Sequence, residues 1–342
     1  MTDSTRRARK LLLINAGGTI ATHSADPLNF VDYPFNSQRL AAAEVIEGLL
    51  SEAGSNTPYA FSGLDVYTGS SLAVGPSTWQ SLRTVLLAEI ADRKPLDGIV
   101  VTHGTSTLEE TAFFLALTVP TPVPVVIAGS QRPHGVLGSD AALSLHLAAL
   151  AACQLAVAEW GVVVQAGDKL LSPWGLTKIA NYLPVAFAVS YGGPIAIVGA
   201  NTGVRICGVP PSIELAAPFR GAPTTALPDV KAVASFAGSD GELIRAAVRS
   251  GAAGLAIEGA PPGMVTPPEM EALRWAISEG TPVAIASRAH ADASPAPSRV
   301  EPEGAVFLSS LSVRQGRILL MTALAAGWPI DRLQAYVREH GL

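Results

Sequence analysis

The sequence predicts an α/β protein: a larger N-terminal domain with a mostly parallel sheet flanked by helices, followed by a smaller C-terminal α/β domain. Three observations predict it. Short apolar runs of strand length alternate with stretches of helical spacing through the first 200 residues, as parallel strands and their crossover helices do. At 342 residues the chain is long for a single core. A segment with no sustained periodicity, crowded with Pro210, Pro211, Pro218, Pro223 and Pro228, then interrupts it. The expected division is 1–205, a linker over 206–228, and 229–342.

Taken in order, Lys10 to Leu13 is continuous and apolar and reads as a buried strand, running into Ile14-Asn15-Ala16-Gly17-Gly18-Thr19. The paired glycines allow a sharp turn and a close backbone approach. Ser37 to Glu52 has helical spacing, with Leu40, Val45, Leu49 and Leu50 available for one face. Leu64 to Tyr67 reads as a strand ending at Gly69-Ser70-Ser71. Pro76 opens a helix over Trp79 to Arg93, and Gly98 to Thr102 is a buried strand leading into His103-Gly104-Thr105-Ser106-Thr107. Leu108 to Leu117 reads as a helix with Glu109 and Glu110 in its first turn, where they complement the helix dipole. Val123 to Ile127 is a strand, and Gly138 to Glu159 holds a long helix rich in alanine and leucine. Beyond the linker, Ala232–Phe236, Gly254–Ile257 and Val283–Ser287 read as strands. Gly241–Ser250, Thr266–Glu279 and Arg317–Ala326 read as helices, and Asp292 to Pro302 as a surface loop. Ligands of open α/β sheets collect outside the carboxyl ends of the strands. The loops at Thr19, at Ser70-Ser71 and at Thr105 all lie at such ends and are placed to converge.

Bulk composition narrows the function. A net charge of −5 without a basic stripe argues against nucleic acid as a partner. Apolar residues make up 49% and charged residues 15%, which suits a packed globular protein. No window reaches the roughly 18 apolar residues of a membrane span. The basic start before Leu11 lacks the apolar length and cleavage pattern of a signal peptide, so a cytoplasmic location is expected. Cys153 and Cys207 are far apart and make neither a disulfide framework nor a metal site. No His, Cys and carboxylate cluster has ligand spacing, so no metal and no cofactor are expected. The Gly17-Gly18 pair lacks the lysine and glycine spacing of a phosphate loop.

The chemistry concentrates in hydroxyls. Thr19 and Thr105 each follow a glycine at the end of a strand, and a threonine becomes a nucleophile only when a base takes its proton. Lys178, isolated in apolar surroundings, suits that task because desolvation lowers the basicity of an amine. As an alternative it is a surface side chain capping a helix. His103, closing a buried strand, reads as a packing or hydrogen-bonding residue ahead of a base.

Several stretches together resemble the bacterial-type L-asparaginase/glutaminase family. Ala16-Gly17-Gly18-Thr19-Ile20-Ala21 resembles its first signature, and Val101 through Thr105 to Ala112 its second. Ala128-Gly129-Ser130-Gln131-Arg132-Pro133 with Ser139-Asp140, then Leu176-Thr177-Lys178 with Tyr191-Gly192-Gly193-Pro194, follow in the family's order. Arg317 resembles part of its C-terminal pattern. The resemblance implies an asparaginase-like fold and an amidohydrolase in which Thr19 attacks an amide carbonyl, with Thr105 and Lys178 activating the attack. It further implies that Ser71, or alternatively Ser70, holds the substrate carboxylate, with Gly18, Gly104 and Ser106 lining the substrate site. Tyr33 is the candidate for the family's lid tyrosine, the alternative being a loop aromatic. A homodimer or homotetramer is implied as well.

The departures are informative. Ser106 stands where the family has an aspartate that holds the α-ammonium of the substrate. Losing such a charge-assisted contact costs roughly 2–5 kcal/mol, on the order of 10- to 1000-fold or more in rate. Ser70, Leu72, Ala73, Gln131 and Ser144 also depart from usual residues, and the Pro261 to Met264 loop lacks an asparagine that some relatives carry. The expectation is retained chemistry with altered recognition: a small carboxamide (or ester or lactam) whose α-amino group is absent, acylated or differently placed. The oxyanion would be held by backbone N–H groups near Gly18 and Thr105. Two alternatives stand beside it. One is a conventional L-asparaginase in which Glu109 or a partner subunit's residue replaces the missing carboxylate. The other is a non-catalytic binding protein on the same fold.

Overall fold

The computed structural model describes residues 7–54, 56–92, 95–190, 192–208, 213–221, 226–289, 292–294 and 302–342. Tyr191, Pro210, Pro211, Pro223 and most of the loop expected over 292–302 fall outside the described residues. The chain forms two compact units, Met1–Ala217 and Pro218–Leu342.

The first unit begins with β1 (Arg9–Ala16), buried from Leu11 onward, and a small hairpin of β2 (Thr22–His23) with β3 (Gln38–Arg39). Between them lies a single helical turn, α1 (Tyr33–Asn36). Then follow α2 (Ala42–Ala53), β4 (Tyr59–Asp65), α3 (Pro76–Ala91), β5 (Gly98–His103) and α4 (Leu108–Thr118). Next come β6 (Val125–Ala128), α5 (Ala141–Ala152), β7 (Val162–Ala166), β8 (Lys169–Leu171), β9 (Leu176–Lys178), β10 (Phe187–Val189), β11 (Ala196–Gly199) and β12 (Gly203–Ile206). Eight strands form one sheet in the order β12-β11-β8-β7-β6-β5-β1-β4. From β4 across to β7 the neighbours are parallel, and the remaining pairs are antiparallel. The core on one face is built from β-strand residues such as Leu13, Val100, Val126 and Val163 with Leu145, Ala148 and Ala152 of α5. Alanine on α5 lets that helix approach closely: a Cβ on Gly98 would lie 2.2 Å from the Ala152 carbonyl.

Several expectations shift. The helix expected over Ser37 to Glu52 starts at Ala42, because Gln38 and Arg39 pair with β2 instead. The strand expected over Leu64 to Tyr67 is β4, which ends at Asp65; Val66 and Tyr67 instead turn and donate their N–H groups to the Asn15 carbonyl. In the stretch after Gly203, β12 forms a sheet edge and Ile213–Phe219 is a 3-10 helix.

In the second unit, four parallel strands lie in the order β13 (Val230–Ala234), β14 (Gly254–Gly259), β15 (Val283–Ser287) and β16 (Val306–Leu308). The helices are α6 (Glu242–Arg249), α7 (Pro267–Ser278), α8 (Val313–Ala325) and α9 (Ile330–His340). Thr266 and Glu269 cap α7 reciprocally, a pattern that marks its start. Among the described residues no helix is long and apolar enough to cross a membrane.

Candidate active site

Register brings the chemistry-bearing loops level. On β1, Asn15 faces Asp65 of β4 on one side and Thr102 of β5 on the other, so the three strands end together. The chain order reverses about β1, which makes this the switch point where open sheets bind ligands. Asn15 holds the strand ends: its Oδ1 accepts from Gly17 N and Thr102 Oγ1, and its Nδ2 donates to Asp65 and the Leu40 carbonyl.

The loops then pack backbone on backbone. A Cβ on Gly17 would lie 2.5 Å from the Gly69 carbonyl, and one on Gly18 only 2.1 Å from Gly104. Positive φ angles of 73° and 85° at Gly17 and Gly18 turn the chain there. This contact places Thr19, first residue of a 3-10 turn, beside the loop bearing Thr105. A cavity of about 300 Å³ opens at this point, lined by Thr19, Tyr33, Ser71, Thr105, Ser106 and Lys178 among others. Gly18, Ser70 and Gly104 also line it, so all nine candidate positions border one cavity.

Two hydrogen-bonded pairs define its interior. Thr19 Oγ1 lies 2.9 Å from the Tyr33 hydroxyl. Lys178 Nζ donates to Thr105 Oγ1 at 2.7 Å. Desolvation lowers the Lys178 pKa, opposed by the charge of Glu109, whose Oε2 accepts the Lys178 backbone N–H at 2.6 Å. Glu109 does not line the cavity. The two serines differ: Ser70 Oγ accepts from Leu72 N, whereas Ser71 Oγ makes no hydrogen bond among the described residues. The Gly18 N–H donates to the Gly69 carbonyl, so that group is engaged before any oxyanion arrives.

His103 supports the site from beneath. It is fully buried, and desolvation pushes its pKa down to about 4. The neutral ring donates from Nδ1 to the Gly104 carbonyl and accepts at Nε2 from Thr111, whose oxygen accepts from Trp79. No group of His, Cys and carboxylates suited to a metal occurs among the described residues.

The lining also includes Arg39, Gln131, Asn181 and Tyr182. Of these only Gln131 stood out in the sequence; its loop is held by Asp140, which accepts the Gln131 and Arg132 N–H groups. Arg39 left no signal, because a lone arginine within a stretch of helical spacing is ordinary.

Comparison with known proteins gives first a class, that of amidohydrolases, and then the family. The model described as "Asparaginase, N-terminal" matches residues 10–207, and "Glutaminase/Asparaginase C-terminal domain" matches 229–337. An L-asparaginase of Bacillus licheniformis is 32% identical over 283 residues, covering 82% of each chain. A glutaminase-asparaginase of Pseudomonas fluorescens biotype A is 26% identical over 345 residues, 99% of this chain and 92% of that one. Among solved structures, one described as a probable cytoplasmic L-asparaginase from Campylobacter jejuni superposes with a TM-score of 0.86 at 25% identity, covering 96% of this chain and 99% of the other. The chain belongs to the asparaginase family.

Proposed function

We propose that the protein hydrolyses a small carboxamide with Thr19 as nucleophile and with recognition at the α-position altered by Ser106. The observation carrying this reading is the pairing of Thr19 with Tyr33 and of Thr105 with Lys178 around one cavity. Thr19 Oγ1 bonds to the carbonyl carbon while its proton leaves through Tyr33 and Thr105 to the neutral amine of Lys178. The oxyanion faces the backbone N–H groups of Thr19 and Thr105, neither of which donates within the chain among the described residues. The C–N bond breaks as the proton passes to nitrogen, ammonia leaves, and water hydrolyses the Thr19 ester. Ser71 Oγ, uncommitted within the described residues, holds the substrate carboxylate.

The test is ammonia release from asparagine, glutamine, N-acylated and des-amino analogues by the purified protein. The expected outcome is turnover of an analogue lacking a free α-ammonium, abolished by Thr19→Ala; activity that survives Thr19→Ala removes the threonine from the mechanism.

A second reading, conventional L-asparaginase, is favoured by the names of the relatives. Ser106→Asp discriminates: a conventional asparaginase changes little, whereas the altered enzyme gains asparagine activity or loses its own. We also infer a cytoplasmic homodimer or homotetramer; the neighbour from Campylobacter jejuni supports the location, and sedimentation tests the assembly.

A further inference from the structure

Charge around the cavity is one-sided. Arg39 and Lys178 are the basic residues that line it, Lys178 as the neutral amine of the proposed mechanism, and no aspartate or glutamate does among the described residues. The Arg39 guanidinium is held at both ends, Nη1 donating to Thr22 Oγ1 at 2.7 Å and Nη2 to the Pro34 carbonyl at 2.8 Å. Thr22 in turn donates to the Gly18 carbonyl at 2.8 Å, so the cation stands two hydrogen bonds from the residue preceding Thr19. Both of its acceptors are neutral, and a guanidinium has more N–H groups than these bonds use.

Three acids on the surrounding elements have partners elsewhere. Glu109 accepts from Lys178 N, Asp65 from Asn15 and Ala42, and Asp140 from Gln131 and Arg132. Arg39 has no ion-pair partner among the described residues, and its planar fork matches a carboxylate. An incoming ammonium would meet the Arg39 cation and no acid among the described residues that line this cavity.

Resting on the amidohydrolase reading, we propose that the substrate is an anionic monoamide of a dicarboxylic acid, lacking an ammonium group, whose one carboxylate takes the hydrogen bond of Ser71 and is neutralised by the charge of Arg39. Asparagine, a zwitterion, is the disfavoured analogue.

The experiment compares initial rates with succinamate (anionic), asparagine (zwitterionic) and propionamide (neutral) for the wild type, Arg39→Gln and Arg39→Lys. The expected kcat/KM for succinamate exceeds that for asparagine by about tenfold or more, the scale of one charge-assisted contact. Arg39→Gln lowers the succinamate-to-propionamide ratio by about tenfold or more, mainly through KM, and Arg39→Lys restores part of it. Equal turnover of asparagine and succinamate, or a ratio unmoved by Arg39→Gln, overturns the proposal and leaves the hydrolase reading standing. Should no amide be turned over, the hydrolase reading fails instead. Calorimetry with succinate then decides the anion site: weaker binding to Arg39→Gln supports it, and equal binding overturns it.

Discussion

The backbone nitrogen and Cα of Gly104 lie 2.1 Å from where a Cβ on Gly18 would stand. The two threonine-bearing loops therefore touch main chain to main chain, and Thr19 and Thr105 border one cavity because nothing larger than hydrogen separates their neighbours. The positive φ of Gly18 adds a second constraint, since L side chains are strained there.

Gly18→Ala is expected to destabilise the first unit by about 3 kcal/mol or more, because the obstacle is the Gly104 backbone, which cannot rotate away. Denaturant unfolding would show the loss, with activity falling in parallel. A variant as stable as the wild type would mean that the loops part without cost.

Tyr33→Phe removes only the hydroxyl that meets Thr19 Oγ1. The expected loss in kcat is about 10²- to 10⁴-fold, the range for a positioned proton carrier, with KM little changed. Melting temperature should hold, since the Tyr33 hydroxyl contacts the cavity residue and not the core.

Glu109→Gln tests the control of the amine. Desolvation lowers the Lys178 pKa and the Glu109 charge raises it. In the proposed mechanism activity requires the neutral amine, so kcat/KM is expected to rise with pH up to the Lys178 pKa. Removing the carboxylate's charge while keeping an acceptor for Lys178 N should move that rising limb to lower pH. A limb that stays in place, or moves to higher pH, argues against Lys178 as the titrating group.

His103 should give the fold an acid-sensitive margin. Its pKa falls from 6.5 to about 4 on burial, so the unfolded chain binds the proton more tightly. The stabilisation is complete above pH 6.5, declines as pH falls through the window, and is gone below about 4. Its size is on the order of 3 kcal/mol. Unfolding free energies of His103→Gln across that window should be flatter than those of the wild type.

Local pattern carried much of this protein. The buried runs at β1, β5, β6 and β15 read directly as strands, because both faces of a covered parallel sheet demand apolar residues. Pro76 and the Thr266–Glu269 pair sit at the starts of α3 and α7. Spacing did not distinguish β9 and β10, whose residues pair only with each other, or β3, whose two residues looked helical beside α2.

By itself the sequence determined the α/β alternation and the hydroxyls at the strand ends, since each is a property of neighbouring residues. Only the tertiary structure decided that Tyr33 reaches Thr19, that Glu109 serves the Lys178 backbone, and that Arg39 faces the cavity without an acid. Those relations join residues 14 and 69 positions apart, or a cation and a space. They depend on strand register and glycine contact, which no local window contains.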